Sequence, residues 1–234
     1  MALGIGGGIL WTPVLMLGCG CSPQQAVSTS LAIQVVGLGS GSVAYLRAGR
    51  VRARLVLVLF ATAVPGVVAG SLMAVRLPAA PVKLALGSMA MILALVFVSA
   101  RETPERASAQ AIDERALRRI LPVPAFFGVL MGLLSVGVGE WLMPSLRKRL
   151  QLDMQGAVAT VTPLMFLLAS VAALSHGLLS ENIQWPLFFF GAVGTLLGGQ
   201  LGPRVADRLP DRGLKEAFAF AMILVGIHLI FQAL

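Results

Sequence analysis

Six stretches of this chain are long and nearly free of charge: Gln25 to Leu46, Leu55 to Val75, Pro81 to Ala100, Ala157 to Leu179, Trp185 to Gly202 and Leu214 to Leu234. Runs of about 20 such residues are long enough to cross a hydrocarbon core of about 30 Å as helix. In lipid they can fold in no other local way, because every backbone N–H and C=O must find its partner inside the segment. The alternating ten-residue segments of a barrel are absent. Composition agrees: 57% of residues are hydrophobic, 12% are charged and the mean hydropathy is +0.89, whereas soluble domains carry about 25% charge. The expected fold class is an all-α membrane protein with six full crossings.

Two further apolar pieces are too short or too broken to join them. One is the opening, Met1 to Gly18, with GIGGGILWTP inside it; the other is Val123 to Leu146, containing SVGVGEWLMPSL. A shift of 131 positions lays Gly6 on Gly137, Gly8 on Gly139, Pro13 on Pro144, Ala26 on Ala157 and Thr29 on Thr160. A shift of 132 lays Gly66 on Gly198, Gly70 on Gly202 and the RLP at 76–78 on the RLP at 208–210. One residue of drift is what a loop insertion leaves in a duplicated chain. The expected organisation is a first membrane repeat at 1–100, a charged linker at 101–121 and a second membrane repeat at 122–234. Each copy holds a glycine-broken segment and three spanning helices.

Charge decides how the copies are oriented. If the broken segments cross fully, the copies are parallel and the 18 Lys and Arg divide equally between the two sides. If each is a re-entrant hairpin, the second copy is inverted and all but Arg76 and Lys83 share one side. The positive-inside rule selects inversion, with the linker and most basic loops in the cytoplasm and both termini outside. The net charge of +8 is then a topology and headgroup signal, and nucleic-acid binding is not expected.

Discontinuous helices at matching places in inverted repeats build midplane transport sites, since irregular backbone survives at that depth only where protein or a wet cavity satisfies it. Freed N–H groups at a half-helix start suit an anion. The candidate substrate-binding residues are Gly6, Gly7, Gly8 and Pro13 in the first break, and Gly137, Gly139 and Pro144 in the second. Hydroxyls and an amide on the following helices join them: Ser28, Thr29, Ser30 and Gln34 from AVSTSLAIQ, Thr160 and Thr162 from AVATVTPLM. Both prolines are expected to help fix the turn. Glu140 is the one acid expected at membrane depth and the candidate for proton coupling. Gly66, Gly70, Gly198 and Gly202, at GxxxG spacing, are expected to pack helices. His176 and His228 are read as structural and Cys19 and Cys21 as plain surface thiols. No metal cluster, cofactor motif or catalytic constellation is visible.

The pattern GIGGGILWTP at Gly4 to Pro13, with AVSTSL and a basic loop after it and a degenerate copy in GVGEWLMPSL with AVATV, resembles the TauE/SafE family of sulfite exporters over nearly the whole chain. The resemblance implies a transporter of sulfite, organosulfonates or related sulfur-containing or carboxylate anions in the bacterial cytoplasmic membrane. Two departures stand out. Val138 and Glu140 occupy the places of Gly7 and Ile9, so the half-sites are unequal. About fifteen residues, Pro122 to Val136, lead into the second glycine cluster, against Met1 to Ile5 for the first. The first hairpin is therefore expected to be truncated, either through a misassigned start codon, the preferred reading, or because the product itself is truncated and inactive. The expected function is secondary transport of small anions by alternating access. An anion channel and a non-transporting accessory or scaffold subunit are the alternatives. The expected partners are a small anion and the lipid bilayer, with a homodimer left open.

Overall fold

The computed structural model describes residues 7–99, 114–180, 182–206 and 211–233. They form ten helices: α1 (Gly8–Gly18), α2 (Pro23–Arg47), α3 (Ala53–Arg76), α4 (Ala79–Ser99), α5 (Glu114–Ile120), α6 (Pro122–Leu134), α7 (Val138–Arg149), α8 (Met154–Leu179), α9 (Trp185–Ala206) and α10 (Asp211–Phe231). Caps start the two longest at equivalent places in the repeat. The Ser22 hydroxyl accepts from Gln25 N–H at 3.3 Å and the Gln25 side chain accepts from Ser22 N–H at 3.0 Å, with Pro23 opening α2. Asp153 accepts from Gly156 N–H at 3.1 Å to open α8.

Five helices among the described residues are long and apolar enough to cross a membrane: Pro23–Arg47, Ala53–Arg76, Ala79–Val96, Glu114–Leu134 and Met154–Leu179. Four of them are crossings expected from the sequence. The fifth differs from the expectation, because the end of the linker (α5) runs into α6 and lengthens that arm to 21 residues. The apolar parts of α9 and α10 within the described residues, Trp185–Gly198 and Ala219–Phe231, are shorter.

The second broken segment is a helical hairpin. From its tip at Ser135–Gly137, α7 returns alongside α6, with Trp141 stacked on Phe127 at 5.1 Å and the Arg149 guanidinium donating to Arg119 O at 2.7 Å where the arms end. That end of the molecule also gathers the loop after α2. Arg50 donates to Gln155 at 2.9 Å, and Arg54 lies 3.9 Å from Glu114, fully in solvent. The opposite end holds Gln24 bonded to Leu77 O and Lys83 bonded to Gln232. The four basic residues of the 204–215 stretch lie outside what the structure describes at side-chain level.

Equivalent helices of the two halves pack antiparallel. Along α2 and α8, Ser28 meets His176, Gly39 meets Phe166 and Gly41 meets Thr162. Along α4 and α10, Lys83 meets Gln232 and Gly87 meets Gly226. The closest crossing joins α3 to α6, where glycines interleave: Gly66 lies against Ala125 O, Gly70 against Val129 O, Gly128 against Ala63 O and Gly132 against Val67 O. This is small-xxx-small packing on both partners, which brings backbones together where side chains would hold them apart. The packing expected of Gly66 and Gly70 is thus found. That of Gly198 is not, since among the described residues nothing lies within 4 Å of where its side chain would be. The side-chain environment of Gly202 lies outside the described residues.

Candidate functional site

Local sequence makes the second break. α6 stops because Ser135 takes a left-handed conformation, φ 64° and ψ 15°, and its N–H still bonds Met131 O at 2.9 Å. Gly137 follows at φ 135°, open to glycine alone. α7 then starts at Val138, its Gly137 N–H held by the Glu140 carboxylate at 3.1 Å. This is half a capping box, since a glycine N-cap has no side chain to return the bond. Glu140 is buried and serves here as a cap.

The prolines do not sit in the turn. Pro13 and Pro144 lie inside α1 and α7, past the break, with Pro13 buried and Pro144 exposed. Their effect is to withhold an N–H from the carbonyl four residues earlier, at Ile9 and Glu140. At the second break the expectation that the proline fixes the turn is corrected, since a left-handed serine and a glycine do that; the turn before α1 lies outside the described residues.

The two breaks meet. A Cβ on Gly8 would run into the Ser135 carbonyl oxygen, and would stand 2.7 Å from the Ser135 hydroxyl and 2.8 Å from Gln34 Nε2. Gly7 sits beside Trp11 and Gln34. Gly6 lies outside the described residues. From α2, the Ser30 and Ser135 hydroxyls bond at 3.0 Å, and Gln34 Nε2 donates to Ser135 Oγ at 2.6 Å and Ser135 O at 3.3 Å. A carbonyl oxygen only accepts, so the amide nitrogen must face Ser135 and Gln34 Oε1 faces away. Among the described residues that oxygen has no partner, nor does Thr12 Oγ1, one helical turn past Gly8; both side chains are at most 1% exposed. The buried indole N–H of Trp141 is also unpaired. Buried polar groups are normally bonded, so three unspent ones around a helix break are suited to a guest. Two helices also begin at this junction, α1 and α7, and bring their N-terminal N–H groups and positive dipole ends to it.

The remaining candidates are spent elsewhere. Thr29 accepts from Gln184 N–H at 3.0 Å and so holds the connection into α9; Thr160 bonds back to Gly156 O at 2.8 Å. Thr162 faces Gly41 in the α2–α8 crossing, and Ser28 meets His176. Gly139 is buried in the first turn of α7. Cys19 is exposed and Cys21 half-buried, and burial, with Cys19 beside it, pushes the Cys21 thiol up from its ordinary value. Among the described residues no cluster of His, Cys, Asp or Glu could hold a metal.

Sequence reasoning passed over Ser135, Thr12, Trp141 and the partners of His176. A signal for Ser135 existed: its repeat equivalent is Gly4, and a glycine facing a serine across a duplication marks a left-handed position. A prediction follows. Ser135→Gly relieves the left-handed cost of about 1–2 kcal/mol, which serine carries and Ser135→Ala keeps. Both lose the hydroxyl's bonds to Ser30 and Gln34 and keep the Gln34 bond to the carbonyl of residue 135, so thermal unfolding in detergent should rank Gly above Ala, with Ala below native.

Comparison with known proteins agrees with this architecture. A curated relative, the probable membrane transporter protein YunE of Bacillus subtilis (strain 168), is 23% identical over 253 aligned positions, which cover 99% of this chain and 92% of the relative. No solved structure matches. The family model described as sulfite exporter TauE/SafE matches residues 1–229. The chain is a multi-pass membrane transporter and belongs to the TauE/SafE sulfite exporter family.

Proposed function

We propose that the protein is a secondary transporter that carries a small sulfur-containing or carboxylate anion, sulfite or an organosulfonate, across the bacterial cytoplasmic membrane. The observation that carries the proposal is the meeting of Gly8 with Ser135, beside the unspent donors of Thr12 and Trp141. The anion binds between the breaks: amides at the starts of α1 and α7, from Gly8 and Gly139, face it, the Thr12 hydroxyl and the Trp141 indole N–H donate to it, and the tie of Ser30, Gln34 and Ser135 forms the wall of the site. Ser28, Thr29, Thr160 and Thr162 hold the surrounding helices. With no Lys or Arg at these positions, the anion is held by dipoles and released readily.

The antiparallel α2–α8 and α4–α10 pairs support two inverted repeats at 1–100 and 122–234, joined by a cytoplasmic linker at 101–121. Alternating access is movement of one repeat against the other. The decisive experiment is uptake of labelled sulfite or sulfonate into proteoliposomes. Saturable flux that is lost on Gln34→Leu supports the transporter; flux that never saturates points to a channel, and none at all to an accessory subunit. Orientation has its own test. In a Cys19→Ser, Cys21→Ser background, Arg147→Cys should react with a membrane-impermeant maleimide only from the cytoplasmic side; labelling from outside whole cells would overturn the inverted arrangement.

A further inference from the structure

His176 is buried where three helices meet. Its Nε2 lies 2.8 Å from Gly132 O in the last turn of α6, and its Nδ1 lies 3.1 Å from Ser28 Oγ on α2, while the ring itself belongs to the last turn of α8. Ser28 Oγ is also 2.8 Å from Gln24 O. Counting hydrogens constrains the ring. Gly132 O can only accept, so Nε2 carries a proton. If the Ser28 hydroxyl points at Gln24 O, its oxygen offers Nδ1 only lone pairs, so Nδ1 carries a proton too and the ring is an imidazolium. If the hydroxyl turns to Nδ1, the ring is neutral and every group is still bonded.

Rotation of one hydroxyl therefore accommodates both protonation states with no heavy atom moved. A buried histidine that merely holds helices together needs one state only. The charge, when present, sits against the carbonyl ends of α6 and α8, where a helix dipole favours a cation. It also converts both bonds to charge-assisted ones, roughly twice as strong as neutral ones. The ionisable groups on the packed elements are Tyr45 and Arg47 at the far end of α2, Arg54 and Arg76 at the ends of α3, and Glu140 and the Arg147–Arg149 run on α7; α6 has none. On α8 there is only His176, with Asp153 capping the opposite end; Glu181, beyond α8, lies outside the described residues.

We propose that His176 is a proton-binding site of this transporter, and that its protonation tightens α8 onto α2 and α6 so that the proton is the coupling ion. The proposal rests on the transport reading above. It assigns to His176 a role that the sequence offered to Glu140.

The chain has two histidines, so in a His228→Asn background the ring nitrogens of [15N]histidine report His176 alone. In nanodiscs they should pass reversibly from the one-proton to the two-proton pattern between about pH 5 and 8; a ring that stays in one state across that range overturns the site. In proteoliposomes with a trapped pH dye, a gradient of ethanesulfonate, the anion of a strong acid that brings no proton of its own, should move protons in the native protein and in Glu140→Gln. His176→Gln should move the anion without them. Ethanesulfonate flux without protons in the native protein, or proton movement retained in His176→Gln, overturns the coupling. If His176→Gln does not fold, the native flux and the nitrogen titration still decide. Absence of all flux refutes the transport reading, and the titration then stands as the separate test of the site.

Discussion

Gly70→Ala should be the most destabilising single change on the α3–α6 seam. The added carbon lands on the Val129 carbonyl oxygen and within 2.9 Å of Leu133 N, both backbone atoms of α6 that no rotamer change can move. Relief requires α3 and α6 to separate along the whole crossing, where Gly66, Gly128 and Gly132 are seated just as closely. Overpacking that shifts backbone sits at the far end of mutational effects, on the order of 4 kcal/mol or more. At roughly 2–4 °C per kcal/mol for a chain of this size, the unfolding midpoint should fall by about 10 °C. Gly198→Ala is the internal control. It is the repeat equivalent of Gly66, but its side chain would enter open space, so its midpoint should stay unchanged. Equal losses at both positions would show that helix content, and not the α3–α6 seat, sets the stability.

The second large effect is functional. Gly8→Ala should abolish transport while the protein still folds, because the collision is with Ser135 at the meeting of the breaks and not with a long helix seam. α1 is short and can yield by withdrawing from Ser135. Withdrawal opens the gap between Gly8 and the Ser30–Gln34–Ser135 tie, and an anion that bridged them loses one wall. A misplacement of about 1 Å at such a site costs on the order of a hundredfold in rate. Native-like size-exclusion profile and unfolding midpoint, with flux reduced about that much, is the expected pair of results; full flux in Gly8→Ala would remove the break from the transport path.

The spanning helices were legible because lipid admits one solution for a long apolar run. α2, α3, α4 and α8 could be named from length and charge alone. The hairpin in 122–149 was legible from the glycine break together with the distribution of arginines. GxxxG spacing identified α3 as a packing helix but could not name its partner, since Gly128 and Gly132 carry the same spacing without saying which groove they enter. Gly198 has the spacing and no neighbour, which shows that the motif permits contact without dictating it. At the site, Gly8, Ser30 and Gln34 were legible as polar or permissive residues near a break. Ser135 was hidden, because a serine in a left-handed position looks like any serine. The role of Thr29 was hidden for a different reason: its partner, Gln184, is 155 residues away, and sequence carries no record of such a pairing. His176 lacked its meaning until Ser28 and Gly132 were placed around it.

The tie of Ser30 and Gln34 to Ser135 has no twin. At the repeat-equivalent positions stand Val161, Met165 and Gly4, none of which has a side chain able to form such bonds. A carrier built from two identical halves that exchange shapes would hold its two open forms at equal energy. In this one, among the described residues, three hydrogen bonds fasten the second hairpin to the first half. On the transport reading proposed above, the empty carrier has a preferred resting form, and the two directions of transport begin from unequal populations even when the gradients across the membrane are the same.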